Sequence, residues 1–154
     1  MPDSQETLDQ MASEIFDLYV MIAIARSRAP QGPDDLSEAE FLTLDVLSKD
    51  EPLTIGDVQR RIGVLPAQMS RIVRALEKQG GRGYVECKIN PQDRRRVDIA
   101  LTERGRSARE AYRNARLQSM YQILAILPPD DRVHFMRIMR LIRSGMENRV
   151  KEQK

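Results

Sequence analysis

Apolar residues recur at intervals of three and four over most of this chain, which is the spacing of one face of an α-helix. The interval predicts a first helix over residues 4–28, with apolar positions at Leu8, Met11, Ile15, Leu18, Tyr19, Ile22 and Ala25. Pro and Gly are concentrated in residues 29–33, so we expect that helix to end before them. A final helix is predicted after Pro128-Pro129, with an apolar stripe of Val133, Met136, Met139, Ile142 and Met146.

The middle of the chain predicts three shorter helices with recognisable starts. Ser37 and Glu40 form a capping box that opens the first of them. Thr54 and Asp57 open the second in the same way. The third begins with a proline, which suits a first helical turn, and is predicted over residues 66–79. Its apolar stripe consists of Met69, Ile72, Val73 and Leu76.

Alternating apolar and polar residues predict two strands, over residues 84–89 and 96–101. The short loop at residues 90–96 joins them, so the pair forms a β-hairpin. A long helix is then predicted over residues 102–127. The predicted fold is mainly α with a small β-hairpin wing, a winged helix-turn-helix at residues 37–105 between N- and C-terminal helices.

Charge is distributed unevenly along the chain, although the formal net charge is only +2. Residues 60–116 contain 15 Lys and Arg against 6 Asp and Glu, whereas residues 1–59 contain 3 against 13. Residues 117–154 contain 7 against 4. A basic centre is typical of a surface that binds the phosphates of nucleic acid. The alternative is that these arginines only solvate a helix face.

Composition excludes several classes of protein. No window approaches about 20 uncharged apolar residues, so we expect no membrane span. The acidic N-terminus does not fit a signal peptide, and a cytoplasmic location is expected. The one cysteine, Cys87, and the one histidine, His134, provide neither a disulfide nor a metal site. They also provide no nucleophile–base pair, so we expect no cofactor and no enzymatic activity.

The predicted elements fit the grooves of double-stranded DNA. The major groove of B-DNA is about 12 Å wide and admits one α-helix. The helix at residues 66–79 would enter it N-terminus first, so that its early side chains meet base edges. The hairpin would reach the neighbouring minor groove, which is narrow and electronegative in A·T tracts and favours an inserted arginine.

Short segments throughout the chain point to one family. The most specific are Asn90-Pro91-Gln92-Asp93-Arg94-Arg95 in the hairpin loop and Leu101-Thr102-Glu103-Arg104-Gly105 after it. Others are Leu53-Thr54-Ile55-Gly56-Asp57-Val58, Gly63-Val64, Ser70-Arg71-Ile72-Val73-Arg74-Ala75-Leu76-Glu77-Lys78-Gln79-Gly80 and Val85-Glu86. In this order they are similar to the multiple-antibiotic-resistance regulator (MarR) family of transcription factors.

The resemblance covers the whole chain and implies a single domain, residues 1–154. Residues 1–30 and 106–154 would form dimerisation helices around the DNA-binding lobe at residues 37–105. The family resemblance implies a homodimer that binds double-stranded DNA at a palindromic operator, most often as a repressor. It also implies a small phenolic or lipophilic effector between the two regions, lined by the first, second and fifth helices, at residues that the sequence does not identify.

The resemblance also assigns roles in DNA binding. In the recognition helix, the residues expected to contact bases are Pro66, Ala67, Gln68 and Ser70. Gln68 is the best candidate for a base hydrogen bond, because Gln can pair bidentately with adenine. Arg71 and Arg74 are expected to hold phosphates; the alternative is a solvated helix face.

In the wing, the family's Asp-x-Arg arrangement corresponds to Asp93 and Arg95. The carboxylate is expected to fix the guanidinium, which enters the minor groove, while Arg94 and Arg96 contact the DNA backbone. The alternative for Asp93 and Arg95 is a surface ion pair that contributes little.

Two departures from the family pattern stand out. Leu65 occupies the position before the recognition helix where relatives usually carry a capping Ser, so either another group caps the helix or its start shifts. Residues 81–83 look inserted before the first wing strand, and we expect three flexible residues there.

The remaining candidates for chemistry are isolated. Lys88 beside Cys87 would favour the thiolate, but a small strand residue without a regulatory role is the preferred interpretation. His134 is expected to be a packing or surface residue and not a metal ligand. The rival to a DNA-binding regulator is a winged-helix protein-interaction scaffold that does not bind an operator.

Overall fold

A computed structural model describes residues 4–28, 36–77 and 81–152 of the chain. It divides into two compact units, residues 1–35 and residues 36–154. The described elements, in chain order, are α1 (Ser4–Ser27), α2 (Glu38–Lys49), β1 (Leu53–Thr54), α3 (Ile55–Ile62), α4 (Pro66–Leu76), β2 (Val85–Ile89), β3 (Val97–Leu101), α5 (Glu103–Leu124) and α6 (Pro129–Glu152). The mainly α fold with a β-hairpin wing is confirmed.

The first unit contributes one described helix, α1. It ends at Ser27, close to the predicted boundary, and the Pro- and Gly-rich residues 29–33 lie outside the described residues. Large apolar side chains remain exposed along α1, at Leu8, Met11, Ile15, Phe16, Leu18, Tyr19, Met21 and Ile24. In the part of the chain that the structure describes, no helix is long and apolar enough to span a bilayer.

Local sequence determines where the helices of the second unit begin. The hydroxyl of Ser37 accepts from the backbone N–H of Glu40, whose carboxylate accepts from the backbone N–H of Ser37 at 2.7 Å. Thr54 and Asp57 form the equivalent box at α3. Both predicted capping boxes are confirmed. Gly63 ends α3 with φ of 71°, a left-handed conformation that favours glycine.

One hydrophobic core lies in the second unit, between the helices and the sheet. The core contains the whole predicted stripe of α4. Its buried residues are Leu36, Leu44, Leu47, Val58, Met69, Ile72, Val73, Leu76, Tyr84, Val85, Ile99 and Leu101.

The sheet has three antiparallel strands in the order β1-β3-β2. In the hairpin, Val85 lies opposite Leu101 and Ile89 opposite Val97. On the other side of β3, Leu53 lies opposite Ile99. The sequence did not predict β1, because two residues are too few for an alternating pattern to be visible.

Two predicted helix ends are wrong. The helix α4 ends at Leu76 rather than residue 79, because Glu77 turns to an extended conformation and bridges to Val85. Residues 78–80 lie outside the described residues. The helix α5 ends at Leu124 rather than residue 127, and the guanidinium of Arg132 donates to carbonyl oxygens just beyond that end, at 2.8 and 3.1 Å.

The start of α5 is packed tightly against the base of the hairpin. Thr102 caps the helix by accepting from the N–H of Gly105, and its hydroxyl donates to the carbonyl of Gly83 at 2.7 Å. A Cβ atom on Gly105 would overlap the carbonyl oxygen of Tyr84. Only glycine lets α5 approach this closely.

Candidate nucleic-acid interface

The helix α4 has one buried and one exposed face. Its apolar stripe packs into the core, and the six side chains assigned to DNA contact are all exposed: Pro66, Ala67, Gln68, Ser70, Arg71 and Arg74. The 3.6-residue repeat of the helix separates the two sets, since residues three and four apart share a face. The structure therefore places the six residues on a single accessible surface.

Two polar side chains near the start of α4 differ in whether they already form a hydrogen bond within the protein. The hydroxyl of Ser70 donates to the carbonyl of Pro66 at 3.1 Å, so its proton is held within the helix. Gln68 has no hydrogen-bond partner among the described residues. Gln68 is therefore the free amide of this surface.

The two arginines of α4 also differ from those of α3. Arg60 pairs with Asp57, and Arg61 lies 2.6 Å from Asp50. Within the described residues, Arg71 and Arg74 form no ion pair. Their guanidinium groups are accessible to an anion such as a phosphate.

The wing loop is shaped by one asparagine. The side-chain oxygen of Asn90 accepts from the backbone N–H groups of Gln92 and Asp93, at 2.9 and 3.0 Å. Its amide nitrogen donates to both carboxylate oxygens of Asp98, at 3.0 and 2.9 Å. Asn90 was not among the predicted site residues, although an asparagine side chain that bonds the backbone two residues later is a recognised turn signal.

The predicted contact between Asp93 and Arg95 is different in the structure. The Asp93 carboxylate accepts from the backbone N–H of Arg95 at 3.0 Å instead of holding its guanidinium. A short Asp side chain reaches a backbone N–H two residues later more readily than the end of a long side chain. Arg94 and Arg95 are exposed and form no ion pair within the described residues. Arg96 lies 3.9 Å from Asp57.

Comparison with known proteins identifies the family of this chain. Residues 36–97 match the model of the MarR family. The HTH-type transcriptional regulator ML2140 of Mycobacterium leprae is 31% identical over 107 residues, which cover 70% of this chain and 71% of that protein. The chain belongs to the MarR family. It is therefore a transcriptional regulator with a DNA-binding winged helix.

Two solved structures of bacterial proteins have the same fold as this chain. YusO of Bacillus subtilis superposes with a TM-score of 0.72 at 18% identity, covering 92% of this chain and 98% of that one. FabT of Streptococcus pneumoniae, solved in complex with DNA, superposes with a TM-score of 0.64 at 21% identity, covering 94% and 99%. At 18% and 21% identity, these two superpositions show a shared fold and nothing about shared ligands or DNA sequence.

In this MarR-family chain the residues before the wing are held in place, so the prediction that residues 81–83 are flexible is wrong. The backbone N–H groups of Arg82, Gly83 and Tyr84 donate to carbonyls at the end of α4, at 3.1, 3.0 and 2.7 Å. The guanidinium of Arg82 also donates to the buried carboxylate of Glu40 at 3.1 Å. These bonds satisfy the last carbonyls of α4 and tie the base of the wing to α2.

The single cysteine of the MarR-family chain is not poised to react. Burial, together with the charge and hydrogen bond of Glu77, raises the pKa of the Cys87 thiol to about 11. Lys88 was expected to lower the pKa of this thiol. Its ammonium group instead lies 3.2 Å from the carboxylate of Glu86, and the pKa is raised. The structure favours the interpretation of Cys87 as a small strand residue.

His134 and the other candidate ligands are equally isolated. The ring Nδ1 of His134 lies 3.0 Å from the carbonyl oxygen of Asp130, on an exposed part of α6. This agrees with a surface role. Among the described residues, no group of His, Cys, Asp and Glu is placed to hold a metal.

The contact between α2 and α5 fixes the long helix to the MarR-family DNA-binding lobe. Arg109 donates to Asp45 through two nitrogens, at 3.0 and 2.6 Å. Partial burial alone would raise the pKa of Asp45, but hydrogen bonds from Lys49 and Arg109 hold that pKa below its usual value. Beside this pair the rings of Phe41 and Tyr112 stack with centroids 4.5 Å apart.

Proposed function

We propose that this MarR-family regulator binds a palindromic operator in double-stranded DNA as a homodimer and acts as a repressor. The observation that carries the proposal is the set of exposed arginines without ion pairs within the described residues, on two neighbouring elements. Arg71 and Arg74 lie on α4, and Arg94 and Arg95 lie in the wing loop.

Each element suits one groove. The exposed face of α4 presents the Gln68 amide near its N-terminus and two guanidinium groups further along. In a major groove, this order places an amide at base edges and cations at the phosphates. The wing arginines suit the narrow minor groove beside it, where negative potential is strongest in A·T tracts.

Exposed apolar surface supports the homodimer. Along α6 the exposed large apolar side chains are Val133, Phe135, Met136, Ile138, Met139, Leu141, Ile142 and Met146. Contiguous apolar surface of this kind is rare on monomeric proteins and usually marks an interface. A dimer with two-fold symmetry would place two copies of α4 about 34 Å apart, one turn of DNA, which requires a palindromic site.

FabT, a structural neighbour, was solved in complex with DNA. That observation supports DNA as the partner of this fold without identifying the operator. Response to a small phenolic or lipophilic molecule rests on the family resemblance. Such a molecule would act by binding one arrangement of the dimer more tightly, which shifts the population toward or away from the DNA-competent form.

Selection of bound sequences from random duplexes tests the proposal. We expect a palindrome whose half-sites are centred about one helical turn apart, bound less tightly as salt rises because phosphate contacts release counterions. Arg95→Ala should weaken binding to the selected duplex, while light scattering gives the same mass as the wild type. Recovery of no preferred sequence would instead favour the protein-interaction scaffold.

A further inference from the structure

The first turn of α4 begins with an exposed apolar residue. Leu65 occupies the N-cap position and is 74% exposed, and its side chain makes no capping hydrogen bond. The helix nevertheless starts at Pro66, since the carbonyl of Leu65 accepts from the N–H of Met69 at 2.9 Å. Pro66 and Ala67 are exposed as well, so three consecutive apolar residues face solvent.

This start differs from those of three other helices in the same unit. The N-caps of α2, α3 and α5 are Ser37, Thr54 and Thr102, and each accepts a backbone hydrogen bond through its side chain. Leucine is among the least favourable N-caps because its side chain cannot satisfy a free N–H. Neither helix stability nor the core accounts for leucine at position 65.

The major groove offers one kind of apolar group to such a side chain. Its base edges present hydrogen-bond donors and acceptors, except for the C5-methyl of thymine. The N-terminal residues of a recognition helix are those that meet base edges. We propose that Leu65 is a specificity-determining residue that contacts the C5-methyl group of thymine. This inference rests on the proposed DNA binding.

Charge on the same helix favours DNA over an apolar protein surface as the partner. Arg71 and Arg74 are exposed on α4 and have no ion pair within the described residues. A partner that covered Leu65 would therefore also lie close to two uncompensated cations. Duplex DNA supplies both an apolar methyl group and a flanking row of phosphates.

Gln68 strengthens the assignment to A·T pairs. It lies three residues after Leu65, one helical turn further along, and its amide is free among the described residues. Gln can hydrogen-bond to N6 and N7 of adenine, while the methyl group of thymine projects into the same groove. An A·T pair or two adjacent pairs would satisfy both side chains.

The test uses duplexes selected with the wild-type protein, in which each thymine is replaced in turn by deoxyuridine. The replacement removes one methyl group from the major groove and leaves the minor groove, where the wing binds, unchanged. We expect at least one thymine in each half-site whose replacement weakens binding about fourfold, as loss of one buried methyl predicts.

Two variants assign the effect to the side chain. Leu65→Ser should bind thymine and deoxyuridine duplexes equally, and it keeps the helix because serine can cap α4. The matched control is Leu42→Ser, at an exposed leucine of α2, which should retain the fourfold difference. Circular dichroism confirms that both variants are folded.

Three outcomes overturn the inference. They are equal wild-type affinity for both kinds of duplex, a thymine preference that persists in Leu65→Ser, and selected half-sites that contain no thymine. In each of these the wild type still binds duplex DNA, so the proposed function stands. If the wild type binds no duplex in a salt-dependent manner, the proposed function fails and the inference fails with it.

Discussion

At the scale of single residues, environment decides chemistry more than neighbours in sequence do. Cys87 has Lys88 beside it in the chain, yet its thiol faces Glu77 across the join between α4 and the wing. Burial and that carboxylate raise the thiol pKa to about 11. Since the thiolate is the reactive form, we expect Cys87 to resist oxidation and alkylation at neutral pH.

We predict slow alkylation of Cys87 that accelerates with pH. With a pKa of about 11, roughly one thiol in a thousand is ionised at pH 8, so iodoacetamide should react far more slowly than with free cysteine. The rate should rise about tenfold per pH unit and level off near pH 11. Mass spectrometry of time points measures it.

Glu77→Gln should increase the rate at pH 8, because it removes the negative charge that disfavours the thiolate. Lys88→Gln is the control and should change the rate little, because Lys88 is exposed and lies against Glu86. A rate that levels off near pH 8.5 in the wild type would contradict the raised pKa.

The two capping boxes were predictable because their partners are close in the chain. The capping boxes at Ser37 and Thr54 join residues three apart, so their pattern is visible in the sequence. The bond between Arg82 and Glu40 joins residues 42 apart and was not visible. The glycines at residues 81–83 predicted flexibility, but Arg82 is held by the carboxylate of Glu40, which is distant in the sequence.

At the scale of elements, the wing depends on the pairing of Asn90 with Asp98. The side chain of Asn90 accepts two backbone N–H groups of the loop and donates to both oxygens of Asp98 on β3. It thereby fixes the loop that carries the arginines to the strand that supports it. The hairpin was predictable from alternation, but the bond that shapes its tip required the structure.

Exchanging the two residues tests this role. Asn90→Asp places two carboxylates together and should weaken binding to the selected operator about tenfold, since a partly buried polar contact is lost and replaced by repulsion. Adding Asp98→Asn restores a donor opposite an acceptor and should recover most of the affinity. The double variant has the net charge of the wild type, so recovery cannot come from charge alone.

Fluorescence anisotropy with the selected duplex measures both variants, and thermal melting measures their stability. Asp98→Asn alone is the control, because two amides can still pair, and it should have a small effect. Wild-type affinity in Asn90→Asp, or no recovery in the double variant, would remove Asn90 from the role of positioning the wing.

Periodicity predicted every described helix and both strands of the hairpin, whereas the ends of α4 and α5 and the strand β1 did not follow from it. The helix α4 stops at Leu76 because backbone groups of residues 82–84 occupy its last carbonyls. The strand β1 forms because β3 offers a free edge, with Leu53 opposite Ile99. Both features depend on chain segments that are distant in sequence.

At the scale of the whole molecule, charge is segregated along the chain, with the basic excess in residues 60–116. Many of those cations are engaged within the protein: Arg60, Arg61 and Arg109 each lie against an aspartate. The net charge of a segment is therefore larger than the positive charge that remains available to bind the phosphates of DNA. The arginines without ion pairs are the better guide to phosphate contacts.

This distinction predicts two different mutant phenotypes. In a homodimer, Arg71→Gln removes two phosphate contacts and should reduce the slope of log affinity against log salt by about 2. Gln68→Ala should leave the slope unchanged and instead reduce the preference for the selected duplex over random DNA. Titrations at several salt concentrations measure both quantities.

Arg137→Gln on α6 is the matched control, since it removes an arginine outside the proposed DNA surface and should not alter the slope. An unchanged slope for Arg71→Gln would show that this side chain does not neutralise a phosphate. Parallel loss of specific and random binding in Gln68→Ala would exclude it from base recognition.

The hydrogen bonds between the end of α4 and the start of the hairpin have a mechanical consequence. Tyr84 donates to the carbonyl of Leu76 at 2.7 Å, and Gly105 holds the next helix against the same tyrosine. Because these contacts join α4 to the base of the hairpin, we expect the two elements to leave DNA together if both bind it as proposed.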